Sequence, residues 1–238
     1  MFELKYIGHA GWQIKNKDFK CLCDPWFGPQ GAYFGQWYPF PKNAHIFDLS
    51  LLDDLDFIYI SHVHEDHYDQ WFLKQAAQIN KSIPIYISNF LDRTLYNGLV
   101  SLGFEHIIEV RNSETIRIKH IDIKIVKEES HLDSDSCILF EDDKYKILNL
   151  NDCHVDFSKL KDIAINVDAL LLQATSAIWW PCAYDYSEEQ MHTYGQLKRE
   201  NNLNRALKYA AYLKAKVTVP NAGPPYFHDR KLDVPGRS

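Results

Sequence analysis

The chain has neither a long apolar run nor a surplus of positive charge, and each absence excludes a class of function. Its longest apolar stretches, such as residues 169–172 with their neighbours, fall far short of the ~20 residues a membrane-spanning helix needs. No charged-then-apolar leader opens the sequence, so the expected location is the cytoplasm. Lysine and arginine number 26 against 32 acids, a formal charge of -6, and the basic residues are scattered. That distribution offers no electrostatic footprint for nucleic acid. Cysteine is also sparse. Cys21, Cys23, Cys137, Cys153 and Cys182 make an odd count at uneven spacing, unlike a secreted disulfide framework. Cys21 and Cys23 have no second pair at zinc-site spacing, so packed, reduced thiols are expected. What is present is 238 residues with 46% hydrophobic content, enough for a full core in a single domain over residues 1–238.

Hydrophobic patterning divides the chain into short elements. Residues 2–7, 12–14 and 19–23 read as strands rich in aromatic and β-branched side chains. Residues 27–41, FGPQGAYFGQWYPFP, hold six aromatics among glycines and prolines that forbid a regular element, so an aromatic loop is expected. Residues 57–60 form an apolar strand, and Phe72, Ala76 and Ile79 mark a helix over 71–79. A strand at 83–87 precedes a helix with Leu91, Leu95, Leu99 and Leu102 on one face, terminated by Gly103. Strands follow at 107–110, 116–118, 121–126, 137–140, 145–150 and 167–172, the last buried on both faces. Leu203, Ala206, Leu207, Ala210 and Ala211 predict an amphipathic helix leading into a strand at 217–219. This order suits two sheets packed face to face with helices outside each, an αββα sandwich.

The chemistry concentrates at SHVHEDH, directly after the strand at 57–60. Three histidines and two acids fall within six residues, His62 to His67. In an extended segment residues two apart point the same way, so His62 and His64 converge on one cation. Asp66 and His67 lie where the chain turns into a helix and can serve a second. Imidazole and carboxylate ligands with open positions suit zinc, iron or manganese, and such a centre lowers the pKa of bound water from 15.7 to about 7. Four neighbouring residues cannot fill two coordination spheres, so further ligands must come from distant strand ends. Strand parity from Ile121, Ile123 and Ile125 leads to Glu129 and His131, with His131 favoured because imidazole is the commoner ligand and with Asp133 and Asp135 nearby. Parity from Leu148 and Leu150 leads to Asp152, whose natural role is a bridging carboxylate.

These residues, with Tyr6-Ile-Gly-His-Ala10, Cys23-Asp-Pro-Trp-Phe27 and the Asn151-Asp152 pair, resemble the metallo-β-lactamase superfamily over most of the chain. The Gly-His-Ala opening and following Asp-Pro look like the branch containing ascorbate-6-phosphate lactonase and N-acyl phosphatidylethanolamine phospholipase D. The resemblance implies an α/β (α+β) four-layer αββα metallo-β-lactamase sandwich. It also implies His62, His64 and His131 on one metal, Asp66 and His67 on the other, Asp152 bridging, and His9 and Asp24 supporting the ligands from behind. One departure stands out. Asn221 occupies the position where such hydrolases commonly carry a last metal-binding histidine, which leaves the second metal to be completed by His228 or His192, loosely held, or absent. The segments at 151–153 and 222–225 are similar to the metallo-β-lactamase-like part of CMP-N-acetylneuraminate hydroxylase, an iron-dependent oxygenase whose family also carries a Rieske iron-sulfur domain. This chain has no Cys-x-His pair to ligate such a cluster.

The leading expectation is therefore a hydrolase holding one or two divalent ions, zinc or iron with manganese an option. A metal-bound hydroxide would attack an ester, lactone, amide or phosphodiester of a small molecule, with Asp66 as the catalytic carboxylate. The second expectation is an iron-dependent oxygenase, which requires an electron donor. The third is a non-catalytic binding protein, against which the intact cassette argues. Trp179, Trp180, Tyr184 and Asn221 are expected to line the substrate site, unless the aromatics join Tyr33, Phe34, Trp37 and Tyr38 in a satellite core. Lys198, Arg199 and Arg205 on the long helix form either a phosphate clamp or a solvated face.

Overall fold

Alternating inward-facing apolar residues close this chain into two six-stranded sheets. The computed structural model describes residues 1–128, 134–175, 180–181, 183–223 and 226–227. Glu129, His131, Asp133, Trp179, Cys182 and His228 lie outside the described residues.

In chain order the elements are β1 (Glu3–Gly8), β2 (Gly11–Asn16), β3 (Phe19–Cys23), β4 (Trp37–Tyr38), β5 (Phe57–Tyr59), α1 (Gln70–Ile79), β6 (Ile85–Ser88) and α2 (Thr94–Ser101). There follow β7 (Ile107–Val110), β8 (Thr115–Ile118), β9 (Ile121–Lys127), β10 (Ser136–Glu141), β11 (Lys146–Asn151), α3 (Phe157–Ile163), β12 (Ala169–Gln173), α4 (Glu188–Tyr212), β13 (Val217–Asn221) and β14 (Tyr226–Phe227). One sheet runs β1-β2-β3-β5-β6-β7 and the other β13-β12-β11-β10-β9-β8. Between them lies a core in which Ile14, Cys21, Phe57 and Tyr59 meet Ile121, Ile123, Ile125, Ile138 and Phe140. Phe72, Leu73 and Ala76 of α1 and Leu95 and Leu99 of α2 cover the outer face of the first sheet. Leu160 of α3 and Ala206 and Tyr209 of α4 cover the second. The four-layer αββα order expected from the sequence is thus the observed one.

β3, β5, β6 and β7 are parallel neighbours, as are β11, β12 and β13. Their carboxyl ends therefore present loops on one edge of the sandwich, where α/β sheets ordinarily place their sites. Cys21, Cys23, Cys137 and Cys153 are buried and free, as expected of packed thiols. Among the described residues no helix is long and apolar enough to cross a membrane.

Three local readings need correction. The aromatic loop at 27–41 contains β4, which pairs with β14 from the far end of the chain. Two residues are too short for a periodicity signal, and the pairing is non-local. Second, α4 begins fifteen residues before the apolar face predicted from 203–211 and buries Gly195, Lys198, Asn202, Ala206 and Tyr209, a stripe that keeps Ala206 of the predicted face, with Ala210 packed beside it, but not its leucines. Leu203 and Leu207 are exposed. Third, α2 starts at Thr94, leaving Leu91 outside it and 84% exposed. Gly103, at φ +95°, ends that helix region as its sequence implies.

Candidate metal centre

The loop between β5 and α1 carries the cassette out of a fully apolar strand. His62, His67 and Asp66 are buried, a costly arrangement for polar groups unless they are paired or hold a cation. His62 Nε2 approaches His64 Nδ1 to 2.7 Å with the ring centroids 4.5 Å apart, so the two-residue spacing does make the imidazoles converge. The chain then turns: His67 N and Tyr68 N both donate to the His64 carbonyl. This turn brings His67 beneath His62, ring centroids 4.2 Å apart. Asp69 caps α1, accepting from Trp71 N at 3.0 Å and Phe72 N at 3.3 Å, and its other oxygen holds Phe27 N and Gly28 N at 2.8 and 2.7 Å.

Distant elements complete the cluster. His9 sits in the two-residue turn between β1 and β2 and places Nε2 2.9 Å from Asp66 Oδ2. Tyr33 donates its hydroxyl to Asp66 Oδ1 at 3.0 Å. Asp24, fully buried just after β3, accepts from Ser61 N at 2.8 Å and Ser61 Oγ at 2.7 Å and stands 3.0 Å from His67 Nδ1. That contact leaves His67 Nε2 facing Asp152 Oδ1 at 3.4 Å and Asp66 Oδ2 at 3.7 Å. Potential ligand atoms of His9, Asp66 and His67 lie within 4.8 Å of one another, and so do those of His62, His67 and Asp152. Asp135, which the sequence left among several acids, lies 3.3 Å from His62 Nδ1.

Asp152 reaches the cluster by a route that parity does not describe. Leu148 and Leu150 face the outer helices, so the alternation would carry Asp152 away from the other sheet. The β11–β12 register shifts between Asn149 and Asn151, and Asn151 adopts φ +42°, which turns the strand end inward. His9, Asp24 and Ala222 share this left-handed backbone, at φ +51°, +41° and +49°. Such conformations disfavour side-chain-bearing residues by about 1–2 kcal/mol each, and their concentration at one edge matches the way strain gathers at functional sites.

The electrostatics favour a cation. His67 Nε2 and Asp152 Oδ1 are buried without a hydrogen-bond partner among the described residues, and so is His9 Nδ1. Burial opposes a charge on His67, yet the Asp152 and Asp66 carboxylates outweigh it and raise its pKa well above the ordinary histidine value. His62, desolvated and beside His67, falls to about 3. Burial would also raise Asp66 and Asp152, but the neighbouring His67 reverses this and holds both below the usual carboxylate range. The carboxylates that raise His67 are the same ones that would attract a metal ion, and orphaned donor atoms are aimed at the place between them, so the residues present fit the ions the fold family implies.

A cavity of about 300 Å³ opens on this cluster, lined by His9, Tyr33, Trp37, His64, Asp66 and Asp152 together with His154, Gln173, Asn202, Arg205 and Ala222. Two larger surface grooves, about 640 and 650 Å³, hold none of the clustered histidines. Of the expected substrate aromatics, Trp180 and Tyr184 are not among the residues lining this cavity. Trp180 packs against Tyr194, and Tyr184 stacks on Tyr186. Tyr33 and Trp37, expected in a satellite core, do pack in a small cluster with Trp26 and Ala32, and they also line the cavity. Asn221 is buried, with Nδ2 3.5 Å from Asn149 Oδ1, and the neighbouring Ala222 forms the wall. His192 lies near the start of α4 and joins neither ligand cluster. Gln173, Asn202 and His154 went unrecognised in the sequence because none belongs to a motif, and only the meeting of β12, α4 and the end of β11 assembles them.

Comparison with known proteins agrees with this fold. The family described as "Beta-lactamase superfamily domain" matches residues 3–221. A Mycobacterium tuberculosis protein named as a Rieske 2Fe-2S iron-sulfur protein is 34% identical over 233 residues, covering 94% of this chain and 44% of that protein. Cytidine monophosphate-N-acetylneuraminic acid hydroxylase of Cricetulus griseus is 27% identical over 235 residues, covering 93% of this chain and 40% of the hydroxylase. The chain thus spans less than half the length of these relatives. Among solved structures, CmlA, a diiron β-hydroxylase from Streptomyces venezuelae, superposes with a TM-score of 0.60 at 18% identity, over 93% of this chain and 44% of CmlA. At that identity the likeness is one of fold.

Proposed function

Because the chain belongs to the β-lactamase superfamily domain family, we propose that it is the metal- and substrate-binding module of an iron-dependent hydroxylase that draws electrons from an iron-sulfur protein. The approach of His62, Asp66, His67 and Asp152 to one another, with the exposed His64 against His62, supports a metal site, and the names of the relatives turn that site toward oxygen chemistry. Relatives alike in sequence over nearly the whole chain are named for hydroxylation or for a Rieske 2Fe-2S group, which reverses the order of preference drawn from the motifs alone. Overall, a substrate C–H group, dioxygen, two electrons and two protons give C–OH and water.

On the division that the family resemblance implies, His62, His64 and His131 would hold one ion and Asp66 and His67 a second, with Asp152 available as a further carboxylate ligand. When bound, such ions supply the redox chemistry that activates dioxygen. The remaining residues act around them. Asp24 fixes the His67 ring through Nδ1, and Ser61 fixes Asp24. His9 and Tyr33 each grip one oxygen of Asp66, so this carboxylate is held in orientation. Tyr33 and Trp37 wall the cavity with aromatic surface and restrict water.

Hydrolysis is the second reading, favoured by the same clustered imidazoles and carboxylates, which equally suit a metal-bound hydroxide. Protein purified without added metal separates the two. Iron with near-ultraviolet charge-transfer bands, and oxygen uptake on supply of a reduced iron-sulfur protein, is the expected result. Colourless zinc protein that cleaves generic esters or phosphodiesters would replace it with the second reading. No metal bound after supplementation would sink both.

A further inference from the structure

The cavity wall carries one cationic group that the metal cluster does not use. Arg205 projects from α4 and is the only lysine or arginine among the described residues lining the cavity. It is half-buried, and its Nη2 donates to Gln173 Oε1 at 3.1 Å. Gln173 is itself tied down at the end of β12, its Nε2 donating to the Ala222 carbonyl at 3.2 Å. The guanidinium is therefore aimed by a fixed amide. A guanidinium has five N–H donors in a planar fork, and Arg205 makes no other side-chain hydrogen bond and no salt bridge among the described residues. Of the cavity carboxylates, Asp66 is held by His9 and Tyr33, and Asp152 stands 3.4 Å from His67 Nε2 and attracts the Arg205 charge without a hydrogen bond to it.

We propose that Arg205, set by Gln173 across the cavity from the metal cluster, is an anion-binding subsite that receives a carboxylate or phosphate group of the organic substrate. The opposing assignment, an exposed helix charge on a solvated face, does not suit a side chain that shares a cavity wall with buried Asn202 and Ala222. Desolvation acts on Arg205 enough to lower its pKa, so the group sits where an anion would gain from reduced solvent screening. A planar carboxylate or phosphate matches the fork in two parallel hydrogen bonds, a geometry an ammonium cannot reproduce. The substrate class follows: a small organic acid or phosphate ester, anchored at Arg205, with its reactive carbon toward His64, Asp66 and Asp152.

This inference rests on the dinuclear reading above, and two-ended probes test it. Zinc-loaded wild-type protein and R205Q and R205K variants are titrated calorimetrically with acetate, malonate, succinate, glutarate and 3-phosphonopropionate, zinc content being measured on the same samples. One two-ended anion of matching length should bind wild type about 10-fold or more tighter than acetate. R205Q should lose that advantage while keeping acetate binding and zinc, and R205K should keep part of it. Succinate against 3-phosphonopropionate tells a carboxylate subsite from a phosphate one. Equal length preference in wild type and R205Q overturns the proposal, as does a wild-type protein with full zinc that binds no two-ended anion better than acetate. Failure to take up zinc overturns the metal reading alone. Arg205 is then read from inorganic phosphate binding to metal-free protein, which R205Q must still weaken.

Discussion

Replacing Asp24 by asparagine changes one atom of the buried cluster and should disable His67 as a ligand without removing it. Asp24 accepts three hydrogen bonds, two from Ser61 and one from the His67 ring. Because a carboxylate only accepts, it fixes His67 with its proton on Nδ1 and its lone pair on Nε2, toward Asp66 and Asp152. In Asp24→Asn, one oxygen continues to accept from Ser61 N, and the new amide N–H₂ faces His67 Nδ1. The favoured tautomer then carries its proton on Nε2, where a metal would bind. Loss of such a supporting group ordinarily costs 10- to 100-fold in metal affinity, or about 1.4–2.7 kcal/mol. Competition against a chelator of known affinity, with metal content per chain measured after dialysis, reads the effect directly. Thermal unfolding of the metal-free variant separates it from misfolding, since the side-chain shape is kept. Wild-type affinity for both ions in a folded Asp24→Asn protein would refute the orientation argument and leave Asp24 as a purely structural carboxylate.

The remaining predictions concern the ligands, the loop anchor and the proton that the metal displaces. His64→Ala and Asp66→Ala should each abolish activity and lower the metal content of purified protein; unchanged stoichiometry in both would refute their assignment. Asp69→Ala removes a helix cap worth about 1 kcal/mol and strands two backbone N–H groups at about 1–3 kcal/mol each, partly offset by relief of carboxylate burial. A loss of about 2–4 kcal/mol in denaturant unfolding is expected, and a change below about 0.5 kcal/mol would show that the loop at 27 and 28 finds other acceptors. Metal at 100 times its dissociation constant should add about 2.7 kcal/mol, raising Tm by roughly 5–11 °C for a chain of this size. The increment should grow with pH. His67 has a raised pKa in the metal-free fold, so its proton contributes stability that is complete below about 6.5 and fades as pH climbs through the raised value. The metal must displace that proton, so a Tm increment that shrinks between about pH 6 and 8 would contradict the assignment.

What the sequence made legible is what lies close together along the chain. His62, His64, Asp66 and His67 are neighbours, so an extended segment followed by a helical turn suffices to place them, and alternation in β9 suffices to find the face between the sheets. Asp152 shows the limit of that reasoning. The strand rule points at a residue that does join the cluster but along the wrong face, and the position is recovered only by a register shift and a left-handed Asn151, features that a pairing partner imposes and no local pattern announces. The same holds for His9, whose role follows from a turn that carries it to Asp66, 57 residues away in the chain.

The helix α4 carries the argument furthest. Hydrophobicity selects Leu203 and Leu207 as its inner face, and both are exposed, while Lys198 and Asn202 are buried and Arg205 is half-buried. An amphipathic helix normally turns its apolar stripe inward because apolar burial stabilises it by about 25 cal/mol per Å². A helix that instead turns polar side chains inward forgoes that gain, and it can do so only where something polar receives them. On α4, Asn202 and Arg205 line the cavity, and the apolar part of the inner stripe, Ala206 and Tyr209, faces the sheet. The mismatch between predicted and observed faces is therefore informative: where local hydrophobicity fails to name the buried side of a helix, the displaced polar residues mark the wall of a site, and Arg205 is the charge on that wall.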